Sequence, residues 1–158
     1  MNNGSHIMKE RKVDAIRNGT VIDHIPGGKA WEVAGILKIH QAPLLVGVNL
    51  FSRKFGRKDL IKIEDHELSS REASSIALIA PRASISIIRE YEITRKIPVT
   101  IPDEIKGLIS CPNPTCITNA EPVLTRFTTD GATAENEVRV RCTYCEKRYR
   151  MTDVKLRL

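Results

Sequence analysis

The chain has 158 residues, of which 41% are apolar and 28% charged, so it can bury a core and form one ordinary domain or two small ones. Its formal net charge of +6 is divided evenly, because residues 106–158 hold nine basic and six acidic side chains and the rest of the chain carries the other half of the excess. This even, mild excess argues against a concentrated nucleic-acid-binding surface and favours an ordinary solvated one.

The chain begins with the residues MNNGSHIM, which lack the apolar segment of a signal peptide. We interpret residues 1–8 as an expression scar, with Met8 as the native start. The longest uncharged run, 39–52, is too short to span a membrane and contains Pro43 and Gly47. The sequence therefore predicts a cytoplasmic protein with no membrane partner, in which cysteines favour metal binding over disulfides.

The first predicted elements are two short strands over 13–16 and 20–25, because both stretches are rich in β-branched residues. Asn18-Gly19 between them is typical of a hairpin turn. A helix is predicted next, in KAWEVAGILK, where apolar residues recur with helical spacing. The residues expected to share its buried face are Ala30, Val33, Ala34 and Leu37.

Two further strands are predicted over 44–50 and 59–64, separated by the charged turn FSRKFGR. The segment Ser69 to Glu72 reads S-S-R-E, a capping box that predicts a helix start. Its buried stripe is expected to be Ala73, Ile76, Ala77 and Ala80. After Pro81, the alternation in SISIIREYEIT predicts one strand, and its shared face would hold Ile85, Ile87, Tyr91 and Ile93.

The predicted order is β-β-α-β-β-α-β, which favours an α+β fold with a ferredoxin-like antiparallel sheet and two helices covering one face. The segment IPVTIP, at 97–102, has a proline at each end and predicts a stiff extended connector. We therefore place a boundary near residue 105, between a first domain at 9–105 and a second, small all-β domain at 106–158.

All four cysteines lie in the second domain, in the spacing Cys111-x4-Cys116, then 25 residues, then Cys142-x2-Cys145. Two close pairs far apart in sequence are typical of a tetrahedral zinc site. A segment of about 50 residues rarely buries enough surface to fold without a metal or disulfides. Structural zinc, one ion per chain, is the favoured interpretation, and an iron–sulfur centre, another metal, disulfides or free thiols are the alternatives.

The segments around Cys142 and Cys145 are basic and contain two tyrosines. On a zinc ribbon, these residues could bind phosphates and stack on bases. The simpler interpretation is an amphipathic strand, with Val138, Val140 and Cys142 inward and Arg139 and Arg141 outward. A third is that the arginines face an acidic protein partner.

The first domain contains an acid and several lysines at predicted strand ends: Asp23, next to His24, and Lys58, Lys62 and Lys96. Such a set can bind a nucleotide, with the carboxylate on ribose hydroxyls and the ammonium groups on phosphates. Surface lysines are more often merely solvated. No nucleophile elbow, Walker A loop, Rossmann fingerprint or H-E-x-x-H motif occurs, so the sequence favours a binding protein over an enzyme.

Four longer stretches add a family resemblance: GTVIDHIP at 19–26, GRKDLIKIE at 56–64, CPNPTCITNAEP at 111–122 and CTYCEK at 142–147. Together they resemble the regulatory chain of aspartate carbamoyltransferase, over nearly the whole native chain. The resemblance implies a non-catalytic subunit with an allosteric domain and a zinc domain. It also implies CTP as inhibitor, ATP as activator, pairing of regulatory chains through their allosteric domains, and docking of zinc domains on catalytic trimers in pyrimidine biosynthesis.

The same resemblance implies roles for individual residues. Asp23 would hold the ribose, Lys62 the ribose or base side, and Lys96 and His24 the phosphates. The base edge would meet the backbone around Ile16, Tyr91 and Ile93. The remaining nucleotide-site residues would be Val13, Ala15, Val21, Leu60, Ser86 and Ile88, and the metal ligands Cys111, Cys116, Cys142 and Cys145. The rival hypotheses are a nucleic-acid-binding zinc ribbon and an enzyme that uses Asp23 and His24.

Overall fold

The computed structural model describes residues 14–39, 41–132 and 137–157, and its first part is built on a five-stranded antiparallel sheet. The strands are β1 (Gly19–Pro26), β2 (Leu44–Ser52), β3 (Gly56–Glu64), β4 (Ser84–Arg89) and β5 (Glu92–Ile97), and the helices are α1 (Ala30–Leu37) and α2 (Ser70–Ala77). The sheet order is β2-β3-β1-β4-β5, so β1 lies at the centre between β3 and β4. This confirms the predicted α+β class with an antiparallel sheet and two helices.

Burial alternates along the central strands, which divides the sheet into two faces. On β1, Thr20 and Ile22 are fully buried, whereas Val21 and Asp23 are only partly buried. The buried residues of α1 and α2 belong to the same apolar cluster as Ile22 and Ile61 of the sheet. Since side chains alternate between the faces of a strand, Val21 and Asp23 lie on the opposite face, which α1 and α2 do not cover.

Two predicted strands, one at the start and one at the end of this part, differ from those observed. No strand forms over the described residues 14–16, and strand β1 begins at Gly19. The Asn18 side chain instead accepts a hydrogen bond from the backbone N–H of Glu90, and Tyr91 donates its backbone N–H to the carbonyl of Arg17. The chain before β1 is therefore held against the turn at Glu90 and Tyr91 rather than paired in a hairpin.

The predicted single strand over SISIIREYEIT is wrong as well, because the segment is a hairpin of β4 and β5. Its turn is formed by Glu90 and Tyr91, whose φ angles are +48° and +66°. Two left-handed residues are typical of a primed hairpin turn, which usually carries Asn or Gly. Neither residue belongs to those types, so the alternation pattern concealed the turn.

Gly19 at the start of β1 illustrates a close approach that only glycine allows. Its φ is +135°, and a Cβ built at this position would lie 2.0 Å from the carbonyl oxygen of Ile63 on the neighbouring strand. The glycine thus permits pairing between the first residue of β1 and the end of β3. It serves strand pairing instead of the predicted turn.

Helix α2 begins as predicted, with a complete capping box in which Ser69 and Glu72 each bond to the other's backbone. The predicted stripe of Ala73, Ile76, Ala77 and Ala80 is buried. On α1, Ala30, Val33 and Leu37 are buried as expected, but Ile36 takes the place of Ala34, which is only partly buried.

The start of α1 depends on a contact that the sequence pattern did not indicate. Lys29, at the N-cap, makes no side-chain cap. The carboxylate of Asp59, which is fully buried, accepts the backbone N–H of Ala30 at 2.9 Å and that of Asn49 at 2.8 Å. One side chain of β3 thus satisfies otherwise unpaired donors in α1 and β2.

The second part consists of short antiparallel strands. These are β6 (Glu104–Lys106), β7 (Ile109–Ser110), β8 (Arg126–Ala132), β9 (Val138–Cys142), β10 (Arg148–Arg150) and β11 (Lys155–Leu156), with a one-turn helix α3 (Ile117–Ala120) and a 3-10 turn (Met151–Asp153). They form a four-stranded sheet in the order β10-β9-β8-β6 and a β7–β11 pair. Val138, Val140 and Cys142 are buried as predicted, while Arg139 is exposed. No helix of the described residues is both long and apolar enough for a membrane span.

Candidate functional sites

The four cysteines come from two tight segments that face each other in the second part. Cys111 follows β7, and Cys116 is the N-cap residue of α3. Cys142 ends β9, and Cys145 lies in the turn that leads into β10. The predicted ligand pairs are therefore brought together, although 25 residues separate them in sequence.

The sulfur atoms are arranged as a tetrahedral metal site requires. All four Sγ atoms lie within 4.8 Å of one another, with 3.6 Å between Cys111 and Cys145 and 3.8 Å between Cys116 and Cys142. A tetrahedron with Zn–S bonds of about 2.3 Å has edges of about 3.8 Å. All four thiols are free, and three of them are buried. The donor set fits a structural zinc ion, which confirms the cofactor prediction on geometry and leaves no position for water.

Hydrogen bonds to backbone carbonyls fix the conformation of both cysteine segments. The side-chain amide of Asn119 donates to the carbonyls of Cys111 and Asn113, at 2.9 and 2.7 Å. In the second segment, the backbone N–H of Cys142 donates to Lys147, and that of Glu146 donates to the carbonyl of Cys142. In the folded chain, these hydrogen bonds fix the two turns and hold the four thiols towards one point.

The two thiols within each pair differ in their ease of ionisation. Burial raises the pKa of Cys111 to about 12 and also raises the pKa of Cys142. Burial acts in the same direction on Cys145, but hydrogen bonds from the Lys147 backbone and the Asn113 side chain outweigh it and lower the pKa to about 6. The pair Cys142 and Cys145 thus combines one readily ionised thiol with one that must release its proton when a metal binds. The pair Cys111 and Cys116 does the same, because the pKa of Cys116 is lowered.

Two hydroxyl groups lie directly outside the sulfur cluster. Thr118 donates to the Sγ of Cys116 at 3.2 Å, and with its backbone N–H it outweighs burial and lowers the pKa of Cys116. The hydroxyl of Tyr149 lies 3.8 Å from the Sγ of Cys111. Burial, followed by the influence of Cys111, raises the pKa of Tyr149, so this hydroxyl keeps its proton. Donors around thiolates stabilise the negative charge of a four-sulfur site.

A second site lies on the helix-free face of the five-stranded sheet. It is an open cavity of about 360 Å³, which we call the first cavity. Ten predicted nucleotide-site residues line it: Ala15, Ile16, Val21, Asp23, Lys62, Ser86, Ile88, Tyr91, Ile93 and Lys96. Strand register explains the grouping, because Val21 pairs with both Lys62 and Ser86, and Ser86 pairs with Lys96. Residues from β1, β3, β4 and β5 thereby meet on one surface.

Of the other three predicted site residues, two do not line the first cavity. His24 lines a neighbouring cavity, and Leu60 is buried in β3 without lining the first cavity. Val13 lies outside the described residues. One lining residue, Ser84, was missed by the sequence analysis. Since Ser84 precedes Ser86 by two positions on β4, strand alternation alone would have placed it on the same face.

The charges in the first cavity are partly compensated. Asp23 forms an ion pair with Lys58, with 2.7 Å between the Lys58 Nζ and a carboxylate oxygen. Lys62 donates to the backbone carbonyl of Asp14, which ties the segment before β1 to β3. Tyr91 and Ile93 expose 64% and 59% of their surface at the rim. The cavity thus offers a carboxylate, ammonium groups, backbone polar groups and an apolar rim.

The four arginines of β9 and β10 lie in cross-strand pairs, with Arg148 opposite Arg141 and Arg150 opposite Arg139. Like charges directly opposite each other are unfavourable, but carboxylates surround them. The ion pairs join Arg139 and Arg150 to Glu137, Arg150 to Asp153, Arg141 to Glu146 and Arg148 to Asp130. This basic surface is therefore largely neutralised by its own acids.

Both parts of the chain are similar to known proteins. Residues 11–100 match the family model of the aspartate carbamoyltransferase regulatory chain, allosteric domain, and residues 103–155 match the model of its metal binding domain. Together the two models cover nearly the whole chain.

Individual relatives agree with the family models. The chain is 46% identical over 144 residues to proteins named aspartate carbamoyltransferase regulatory chain from Thermococcus gammatolerans and Pyrococcus abyssi, covering 89% of this chain and 93% of each relative. It is 45% identical over 141 residues to the protein of that name from Sulfolobus acidocaldarius, covering 87% of this chain and 85% of the relative.

Proposed function

The chain belongs to the family of aspartate carbamoyltransferase regulatory chains, and we propose that it is a non-catalytic subunit that senses CTP and ATP and controls a catalytic chain. The observation that carries this proposal is the first cavity. It gathers residues from four strands that the family resemblance assigns to one nucleotide site. Asp23 and the two lysines supply the charges that a ribose and phosphates require.

Each part of a nucleotide would meet a different chemistry in the first cavity. The Asp23 carboxylate would accept hydrogen bonds from the ribose hydroxyls, and Lys62 lies opposite Val21, two residues before Asp23 on β1. Lys96, at the far side on β5, attracts phosphate oxygens. The base would lie towards Ile16, Tyr91 and Ile93, where exposed apolar side chains and backbone groups meet. CTP and ATP share the ribose and phosphates, so the base must distinguish inhibitor from activator.

Regulation follows from linkage between two sites. An effector changes catalysis only if it binds one quaternary state more tightly than the other, with a coupling free energy of about 1–3 kcal/mol. We propose that the metal-binding part transmits this difference by docking on catalytic trimers, and that regulatory chains pair through their allosteric parts. One continuous apolar cluster joins the two parts of the chain and offers a physical path for the transmission.

We retain two further proposals from the sequence. The domain boundary is placed near residue 105, after the connector 97–102. The proposed compartment is the cytoplasm, because a four-thiol metal site requires cysteines that stay reduced.

Nucleotide titration of the full chain tests the effector proposal. CTP and ATP should bind, and Lys96→Ala should weaken both by about tenfold, because a charge-assisted contact to phosphate is lost. Lys155→Ala is the matched control, since Lys155 is exposed on β11 and does not line the first cavity. Equal affinity of the Lys96 variant and the parent chain would refute the phosphate assignment.

Copurification with an aspartate carbamoyltransferase catalytic trimer tests the assembly. A large complex should form with the metal-loaded chain and should be lost when a chelator removes the metal. A complex that survives metal removal would contradict the proposed role of the second part.

A further inference from the structure

A cavity adjoining the first one is lined by two arginines, Arg57 and Arg82, that the proposed nucleotide site does not use. This second cavity has a volume of about 410 Å³. Its lining consists of His24, Pro26, Gly27, Phe55, Arg57, Ile79, Pro81 and Arg82. Resting on the proposed nucleotide function, we propose that the second cavity binds phosphoryl groups through Arg82 and Arg57 and extends the nucleotide site.

The two cavities follow one another along the same strands. Asp23 and Ser84 are paired across β1 and β4, and both line the first cavity. The next residue of β1 is His24, whose ring nitrogen Nδ1 lies 3.0 Å from the Ser84 hydroxyl and which lines the second cavity. The hydrogen bond between His24 and Ser84 therefore joins the linings of the two cavities.

A break in β1 turns His24 towards the second cavity. The register of β1 against β3 shifts between Ile22 and Ile25, and His24 has a φ of +59°, in the left-handed region. Bulges of this kind redirect a side chain and are frequent beside binding sites. Asp23 stabilises the bend by accepting the backbone N–H of His24 at 2.6 Å.

The charge of the second cavity favours an anion. Among the described residues that line it, none is acidic, whereas Arg57 and Arg82 carry permanent positive charges. No described carboxylate lies within ion-pair distance of Arg82, in contrast to the four arginines of β9 and β10, which have acidic partners. A guanidinium group without an acidic partner at the mouth of a cavity is suited to bidentate binding of phosphate.

Phe55 gives the Arg82 side chain a defined position. The Arg82 guanidinium lies 4.6 Å from the centre of the Phe55 ring, and the His24 ring lies 5.5 Å from the same centre. A cation over an aromatic face is held by the ring quadrupole, so less conformational entropy is lost when it binds an anion. Arg57 is likewise restrained, because it donates to the carbonyl of Asn49 at 3.1 Å.

Calorimetric titration of the full, metal-loaded chain with CTP, CMP and tripolyphosphate tests this inference. Arg82→Gln should weaken CTP binding by about tenfold or more and change CMP binding less than twofold, because only CTP carries phosphates that extend to the second cavity. Arg71→Gln is the control, since Arg71 is exposed on α2 and lines neither cavity. This substitution removes the same charge as Arg82→Gln. Arg82 is itself exposed, so its variant should fold normally.

The titration with tripolyphosphate distinguishes binding of a separate phosphate anion from binding of the phosphates of a nucleotide. Binding of tripolyphosphate alone, weakened by Arg82→Gln, would show that the second cavity accepts a separate anion. A loss for CTP without any binding of tripolyphosphate would show that the phosphates arrive on a nucleotide held in the first cavity.

The inference is overturned if Arg82→Gln leaves both CTP and tripolyphosphate binding unchanged, or if Arg71→Gln causes the same loss. If the parent chain binds neither CMP nor CTP, the proposed nucleotide function fails. The titration with tripolyphosphate then tests anion binding by the second cavity independently of nucleotides. If tripolyphosphate does not bind either, the inference is also overturned.

Discussion

The two parts of this chain reach a stable structure by different means. The five-stranded part is held by aliphatic side chains, with Ile22, Ile61, Ile63, Ile76 and Ile85 almost completely buried between sheet and helices. The second part has short strands and contributes fewer buried apolar side chains, Phe127 among them, and it gathers four cysteines around one point. One chain can therefore combine a part that depends on apolar burial with a part that depends on metal coordination.

Metal removal should expose this difference most strongly. The apparent free energy of zinc binding in small structural sites is about 10–16 kcal/mol, so stripping the metal should unfold the second part. The five-stranded part should remain folded, because the isoleucines buried between its own sheet and helices do not depend on metal coordination. Hydrogen exchange of the full chain with and without chelator measures both effects: β8 and β9 should lose protection, while β1 and β3 should keep it.

Two other outcomes would contradict this difference between the two parts. Equal loss of protection in β1 and β8 would show that the two parts fold as one unit. Retained protection of β8 and β9 in the metal-free chain would show that apolar burial around Phe127 suffices without the metal.

Substitution of Asp59 should produce the next largest effect, now in the five-stranded part. Asp59→Ala leaves the buried backbone N–H of Ala30 and the partly buried backbone N–H of Asn49 without this acceptor, and should lower the free energy of unfolding by about 3 kcal/mol. Denaturant unfolding measures it. Asp103→Ala is the control, because Asp103 is exposed, and its effect should stay within about 0.5 kcal/mol. Metal content should be unchanged in both variants.

A smaller effect is expected at the start of α2. Ser69→Ala removes the capping hydroxyl that accepts the Glu72 backbone N–H and should cost about 1 kcal/mol. Thermal unfolding of the full chain detects this loss. Ser70→Ala lies one position further, where no cap is made, and serves as the matched control. An equal effect of both substitutions would contradict the capping assignment.

The smallest expected effect is a dependence on pH through Glu72. Burial acts to raise its pKa, but hydrogen bonds from Ser69, together with His66, outweigh burial and lower it. A carboxyl whose pKa is lowered on folding stabilises the folded state above its unfolded pKa, and this contribution is lost as pH falls through the folded value. Glu72→Gln should therefore reduce the acid sensitivity of unfolding below about pH 4.5. Identical pH profiles of parent and variant would contradict this origin.

Local patterns predicted those features whose cause lies within a few residues. The cysteine spacing indicated the metal site because each ligand pair sits in one tight turn. The S-S-R-E segment indicated the capping box, and alternation in VRVRC indicated which side chains of β9 are buried. The motifs at 19–26, 56–64, 111–122 and 142–147 were long enough to indicate the family, which the comparisons confirm.

Tertiary structure alone decided the features that depend on distant residues. The carboxylate of Asp59 on β3 caps α1, and the side chain of Asn18 accepts the backbone N–H of Glu90. The bulge in β1 turns His24 away from the first cavity. In each case a backbone donor or a side chain finds its partner about 30 or more residues away, and no local periodicity records such a pairing. A sequence pattern states what each segment favours by itself, whereas buried polar groups must be satisfied by whatever the packed fold brings near them.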